Sequence, residues 1–152
     1  MRTLGNLLWH FPFFGFVSAT LTYLLGVILA ATVVAAPVGI GLMEFGKFLF
    51  RPFGQAMVDK SALNLEQNHA WKTYSTVVMV LYLPIGVVMS VLLAVQVALL
   101  FMSIVGIPAA LVLAKSLGTC FNPVNKKCVS QAVADALDKR QADAAISKYV
   151  GS

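Results

Sequence analysis

Charge is what this chain has least of. Charged residues fill 11% of its 152 positions and hydrophobic ones 59%, whereas soluble domains carry roughly 25% charged residues. The shortage is concentrated in two places. After Arg2 nothing ionises at neutral pH before Glu44 except His10, and nothing at all does so between positions 72 and 115. These two runs, 41 and 42 residues long, exclude an ordinary water-soluble domain. A bilayer core is about 30 Å thick and a helix rises about 1.5 Å per residue, so about 20 apolar residues make one crossing. Each run is long enough for two.

Cysteine is nearly absent too. Cys120 and Cys128 lack the paired spacing and the histidines of a zinc site; they read as unpaired thiols in apolar surroundings, and no metal or cofactor is expected. HExxH, GxSxG, a phosphate loop and a carboxylate pair are all missing, so no enzyme is expected. The net charge of +5 comes from basic residues beside apolar runs. That placement suits anionic headgroups and makes nucleic acid an unexpected partner. The first run is too long for the apolar core of a signal peptide, and Pro37 follows the small residues that would mark cleavage, so it is read as a retained membrane segment.

What the chain does have is a passage written twice. "AAPVGIGLMEFGKFLFRP" at 35–52 returns as "GIPAALVLAKSLGTCFNP" at 106–123, an offset of 71. The same offset carries Gly15 onto Gly86, Leu21 onto Leu92, Pro37 onto Pro108 and Pro52 onto Pro123. An internal duplication follows, with residues 1–60 as first membrane repeat, 61–72 as polar linker, 73–130 as second membrane repeat and 131–152 as helical tail. The expected fold is an all-α integral membrane protein: two tandem apolar hairpin repeats, about four proline-kinked transmembrane helices, and a short soluble C-terminal helix. Gly26 and Gln96 mark the possible apexes. One crossing per half, between Pro12 and Pro37 and between Pro84 and Pro108, is the competing division. Lys47, Arg51, Lys60 and Lys72 flank the first exit, and Lys115, Lys126, Lys127, Lys139, Arg140 and Lys148 the second. Two crossings per half keep both basic groups, together with the N-terminus, linker and C-terminus, in the cytoplasm, as the positive-inside bias prefers.

Four residues are the pore or gating candidates. Glu44 and Lys115 occupy the same repeat position with opposite charge, and an ionisable group within a membrane is a functional candidate by default; against this, Lys47 is an i,i+3 partner for Glu44 near the headgroups. Pro37 and Pro108 read as hinges or as fixed packing kinks. Small residues form a helix-packing ridge, Ala31, Ala35 and Gly39 in one half and Ala94, Ala98, Gly106, Ala110 and Ala114 in the other. Ala110→Leu or Gly106→Leu is then expected to break assembly. His10, beside Trp9, reads as an interfacial side chain.

The "NLLW" at Asn6 to Trp9, the "GIP" at Gly106 to Pro108 and the "PFG" at Pro52 to Gly54 give the chain a resemblance to the YccF family, a bacterial inner-membrane domain often found in tandem copies. The two copies together cover most of residues 4–130. The first has Ala35, Ala36 and Pro37 where GIP is expected, and the second has Pro123, Val124 and Asn125 for PFG. The resemblance implies a multi-pass protein of the bacterial inner membrane and brings no catalytic residue. The expected function is a homo-oligomeric channel or small transporter-like protein, or alternatively an accessory subunit of a membrane complex. Expected partners are the lipid bilayer, copies of the same chain, or another membrane protein.

Overall fold

A computed structural model describes residues 2–11, 14–65 and 68–150; Pro12 lies outside them. The elements run α1 (Arg2–His10), α2 (Gly15–Ala31), α3 (Ala36–Phe50), β1 (Gln55–Asp59), α4 (His69–Phe101), α5 (Ile107–Phe121), β2 (Lys126–Ser130) and α6 (Gln131–Val150), with a short 3-10 turn at Ile104–Gly106 before α5. Helices α2 and α3 pack as one hairpin and α4 and α5 as another. The two strands pair antiparallel, Gln55 opposite Ser130, Asp59 opposite Lys126 and Met57 opposite Cys128 at the centre.

The prolines begin helices and do not kink them. Pro37 and Pro108 stand in the first turns of α3 and α5, where the backbone N–H has no acceptor to lose and the fixed φ already suits a helix. The hairpin turns therefore fall at 32–35 and 102–106, one step before each proline, and not at Gly26 or Gln96. Gly26 lies within α2, where a Cβ would come 2.7 Å from the carbonyl oxygen of Gly39, and Gln96 lies within α4. The proline inside a helix is Pro84 of α4.

The all-helical expectation also needs correction, because the chain forms a two-stranded ribbon. Two such strands are marginal alone. Here α3 lies on them: the Glu44 carboxylate accepts the Cys128 N–H at 3.0 Å, and Gly41 meets the Pro123 carbonyl so closely that no side chain fits. Lys126 and Asp59 close one end with an ion pair at 2.9 Å. Helix α4 begins at His69, inside the 61–72 stretch read as the polar linker.

Two segments are long and apolar enough to cross a membrane, His69–Phe101 with 33 residues and Ile104–Phe121 with 18. Helix α2 has 17 residues and α3 has 15, about 26 and 22 Å, short of the roughly 30 Å core. The Tyr74 hydroxyl donates to the carbonyls of Val33 at 2.6 Å and Val34 at 2.8 Å. That bond holds the first hairpin's turn beside the start of α4. Four full-length spans do not follow from these lengths.

The core belongs to the inner helices. Phe45, Phe48 and Leu49 of α3 join Ala109, Ala110, Val112 and Leu113 of α5, with Trp9 and Val97, in one buried cluster. Val38, Val78 and Val124 form a second. By contrast α2 and α4 expose apolar side chains along their length, among them Leu21, Ile28, Leu81 and Leu92. Such faces are stable against lipid or other helices, where no water has to be ordered around them.

Candidate functional site

Glu44 and Lys115, matched by position, are not brought together. Glu44 Oε1 lies 2.6 Å from Lys47 Nζ, one turn along α3, and its other oxygen takes the Cys128 N–H. Lys115 donates instead to Gln131 Oε1 at 3.5 Å, at the start of α6. Each charge fastens an inner helix to the neighbourhood of β2. Cys128 donates its thiol to Gln55 Oε1 at 3.1 Å across the ribbon. Burial first, and the Glu44 carboxylate second, push that thiol up to about 11. Among the described residues no cluster of three or more His, Cys, Asp or Glu is placed to hold a metal.

The small residues also divide. Gly39, Gly106 and Ala110 are buried, Ala35 and Ala114 are half-buried, and Ala31, Ala94 and Ala98 are exposed. They do not form one continuous ridge, because the turn at 102–106 separates Ala94 and Ala98 from Gly106, Ala110 and Ala114. Gly26 and Gly39 do what small residues are expected to do, letting α2 and α3 touch backbone to backbone.

The ends of the inner helices show a more specific arrangement. The last carbonyls of a helix lack intrahelical donors and need partners from elsewhere. At the end of α3, Trp9 Nε1–H donates to the Leu49 carbonyl at 2.9 Å. His10 Nε2 lies 2.9 Å from the Phe50 carbonyl and donates to it in the tautomer with its proton on Nε2. Just beyond, the Phe53 N–H reaches Asn6 Oδ1 at 3.2 Å, and the Phe53 ring lies against Gly5. Trp9 is 4% exposed, so it is a core residue. The NLLW and PFG segments, far apart in sequence, thus close on one another and seal the first hairpin. Residues 4–55 match the YccF family, the inner membrane component domain. That segment is similar to a YccF domain. Its matched limits coincide with the segment these bonds tie together, from the α1 residue beside Gly5 to the first residue of β1. Neither a curated protein nor a solved structure matches the chain.

The YccF match and the two long apolar helices together make this a membrane protein, of a kind assigned to the bacterial inner membrane. In the second half, Tyr82 OH donates to the Cys120 carbonyl at 3.4 Å near the end of α5, a parallel to Trp9 that the sequence does not announce. Tyr74 is the other residue that sequence reasoning passes over. Its one signal is its place three residues after Trp71, whose ring it meets at 5.9 Å.

Proposed function

We propose that the protein is an assembly component of the inner membrane, two tandem YccF-like hairpins that present apolar helices to lipid and to neighbouring membrane chains. The exposure of α2 and α4 carries this reading: both helices leave large apolar side chains uncovered, while Glu44 and Lys115, the candidates for a conducting path, are engaged in local contacts. The tandem arrangement has its own support. Helix, turn, helix and strand recur in order, and the ribbon is centred on Met57 and Cys128, 71 positions apart like every matched pair in the sequence. In this reading the polar linker, ribbon and α6 share the cytoplasmic side, and the first hairpin, its turn held by Tyr74 beside the start of α4, lies at the membrane boundary.

A homo-oligomeric channel or transporter is the second reading, and it needs a path between copies. It draws on Ala94 and Ala98, exposed one turn apart on α4, since small residues let a second helix approach closely in lipid. Native mass spectrometry of the detergent-extracted full chain separates the readings. An assembly component is expected as a particle holding more than one chain, whether copies or another protein. A bare monomer overturns both, and a defined homo-oligomer directs the next measurement to ion or solute flux in vesicles.

A further inference from the structure

Where the first turn of α4 passes the end of the ribbon, a cavity of about 420 Å³ opens, lined by Lys60, Lys72, Asn122 and Asn125 with Met79 at its apolar side. Asp59 also borders it, but its carboxylate is neutralised by Lys126 at 2.9 Å. Among the described residues neither the Lys60 nor the Lys72 ammonium has an acceptor. The Asn122 side chain is held in place, its Nδ2 on Met79 Sδ at 3.1 Å and its Oδ1 on the Val124 N–H at 3.1 Å. Asn125 is fixed by a left-handed backbone, φ 60°, and its carbonyl takes the Lys60 N–H at 2.9 Å. Lys60 and Lys72, neither ammonium paired among the described residues, therefore border one pocket in which Asn122 and Asn125 are held by the backbone around them.

The level of the pocket says what fills it. Lys72 is the last charged residue before the charge-free stretch of α4, and Trp71 and Tyr74 beside it are the aromatic pair that favours a membrane–water boundary. Further along α4, Val80 and Leu83 are exposed. We infer that this pocket binds a phosphate-bearing anion, held between Lys60 and Lys72, and that the membrane supplies it as the headgroup of an anionic phospholipid whose chains lie along α4. The phosphate sits as a doubly contacted anion; Lys is a point-charge binder of phosphate and does not need a bidentate fork. This site rests on the membrane placement of the chain and on neither assembly reading.

The test titrates detergent-solubilised full chain with dioleoylphosphatidylglycerol or dioleoylphosphatidylcholine and counts bound lipids by native mass spectrometry. The variants are Lys60→Gln with Lys72→Gln, and, as a control of equal charge, Lys139→Gln with Lys148→Gln on α6. A basic side chain near an anionic surface is worth about a factor of five, so the first pair is expected to weaken phosphatidylglycerol binding roughly 30-fold, with the control pair unchanged. Equal weakening in both pairs, or equal binding of the two lipids by the natural chain, overturns the site. Glycerol 3-phosphate distinguishes the sources: if the first pair loses binding of that soluble ester while lipid adducts persist, the phosphate is not a headgroup and the lipid assignment falls. Flotation with vesicles reports separately on membrane placement, so a chain that floats normally but shows no Lys60- and Lys72-dependent adducts sinks the pocket alone.

Discussion

Glu44 serves two contacts with one carboxylate, and their unequal settings say which matters for stability. The bond to Lys47 involves an ammonium that is half exposed, and surface pairs of that kind contribute about 0–1 kcal/mol. The bond to the Cys128 N–H holds the ribbon against α3, and a hydrogen bond to a charged group is worth about 1.5–3 kcal/mol. Glu44→Ala is therefore expected to cost about 2 kcal/mol in unfolding from detergent micelles, and Lys115→Gln less than about 0.5 kcal/mol; equal losses refute the assignment of Glu44 as a ribbon tie. Val33 offers an opposite sign. Its backbone is left-handed, φ 59°, which for a side chain branched at Cβ costs about 1–2 kcal/mol, and its exposed side chain has no packing to lose. Val33→Gly should raise stability by about 1 kcal/mol, while Tyr74→Phe, which removes the donor to the same turn, should lower it by a similar amount. Chemical unfolding of both variants checks the pair, and a Val33→Gly protein less stable than the natural one contradicts the strained turn. Cys128 gives a pH signature. With its thiol pushed up to about 11 by burial and by the Glu44 carboxylate, alkylation in a Cys120→Ser background should climb about tenfold per pH unit past the point, near 8.5, where free cysteine levels off. A plateau below pH 9 contradicts that environment.

Among the elements, the hairpins depend on glycines that have no room and tolerate change where room exists. A Cβ on Gly39 meets the backbone of Ala30, whereas one on Gly118 meets nothing within 4 Å. Gly39→Ala should push α2 from α3 at a cost of about 1–3 kcal/mol, and Gly118→Ala should gain up to about 1 kcal/mol from helix propensity; unfolding curves that move in the same direction contradict this packing. The sequence made a mostly helical chain with long apolar helices legible, because a charge-free run survives without any knowledge of contacts. It did not make the turns legible. A proline after a long apolar stretch reads the same whether it kinks one helix or opens the next, and only the end of α2 at Ala31 and of α4 at Phe101 decides for Pro37 and Pro108. The ribbon escaped for another reason: QAMVD and KKCVS are five residues each, too short and too polar for an alternating pattern to stand out. Trp9 escaped because its partner at Leu49 is 40 residues away, a distance at which no local pattern operates.

For the molecule as a whole, the packing changes which substitutions can report on assembly. Ala110 is 0% exposed and the carbonyl of Leu100 crowds Gly106, so Ala110→Leu or Gly106→Leu disrupts the fold of one chain before any partner is involved. Ala94 and Ala98 are different: they face outward on α4 among Val91, Leu92, Val95 and Leu99, all exposed. Lipid tails are as apolar as leucine, so helices in a bilayer associate through close backbone approach and not through escape from water. A second helix seated on Ala94 and Ala98 therefore loses its fit when both become leucine, although the chain's own packing is untouched. The double variant Ala94→Leu with Ala98→Leu is expected to keep the natural circular dichroism and unfolding midpoint while its native mass falls to that of one chain. If the mass is unchanged, α4 faces lipid and the interchain contact belongs to α2, where Leu21 and Ile28 are the corresponding exposed side chains. If the mass falls and flux measured in vesicles falls with it, the path lies between copies at α4; if the mass falls and no flux was present to lose, the contact serves assembly alone.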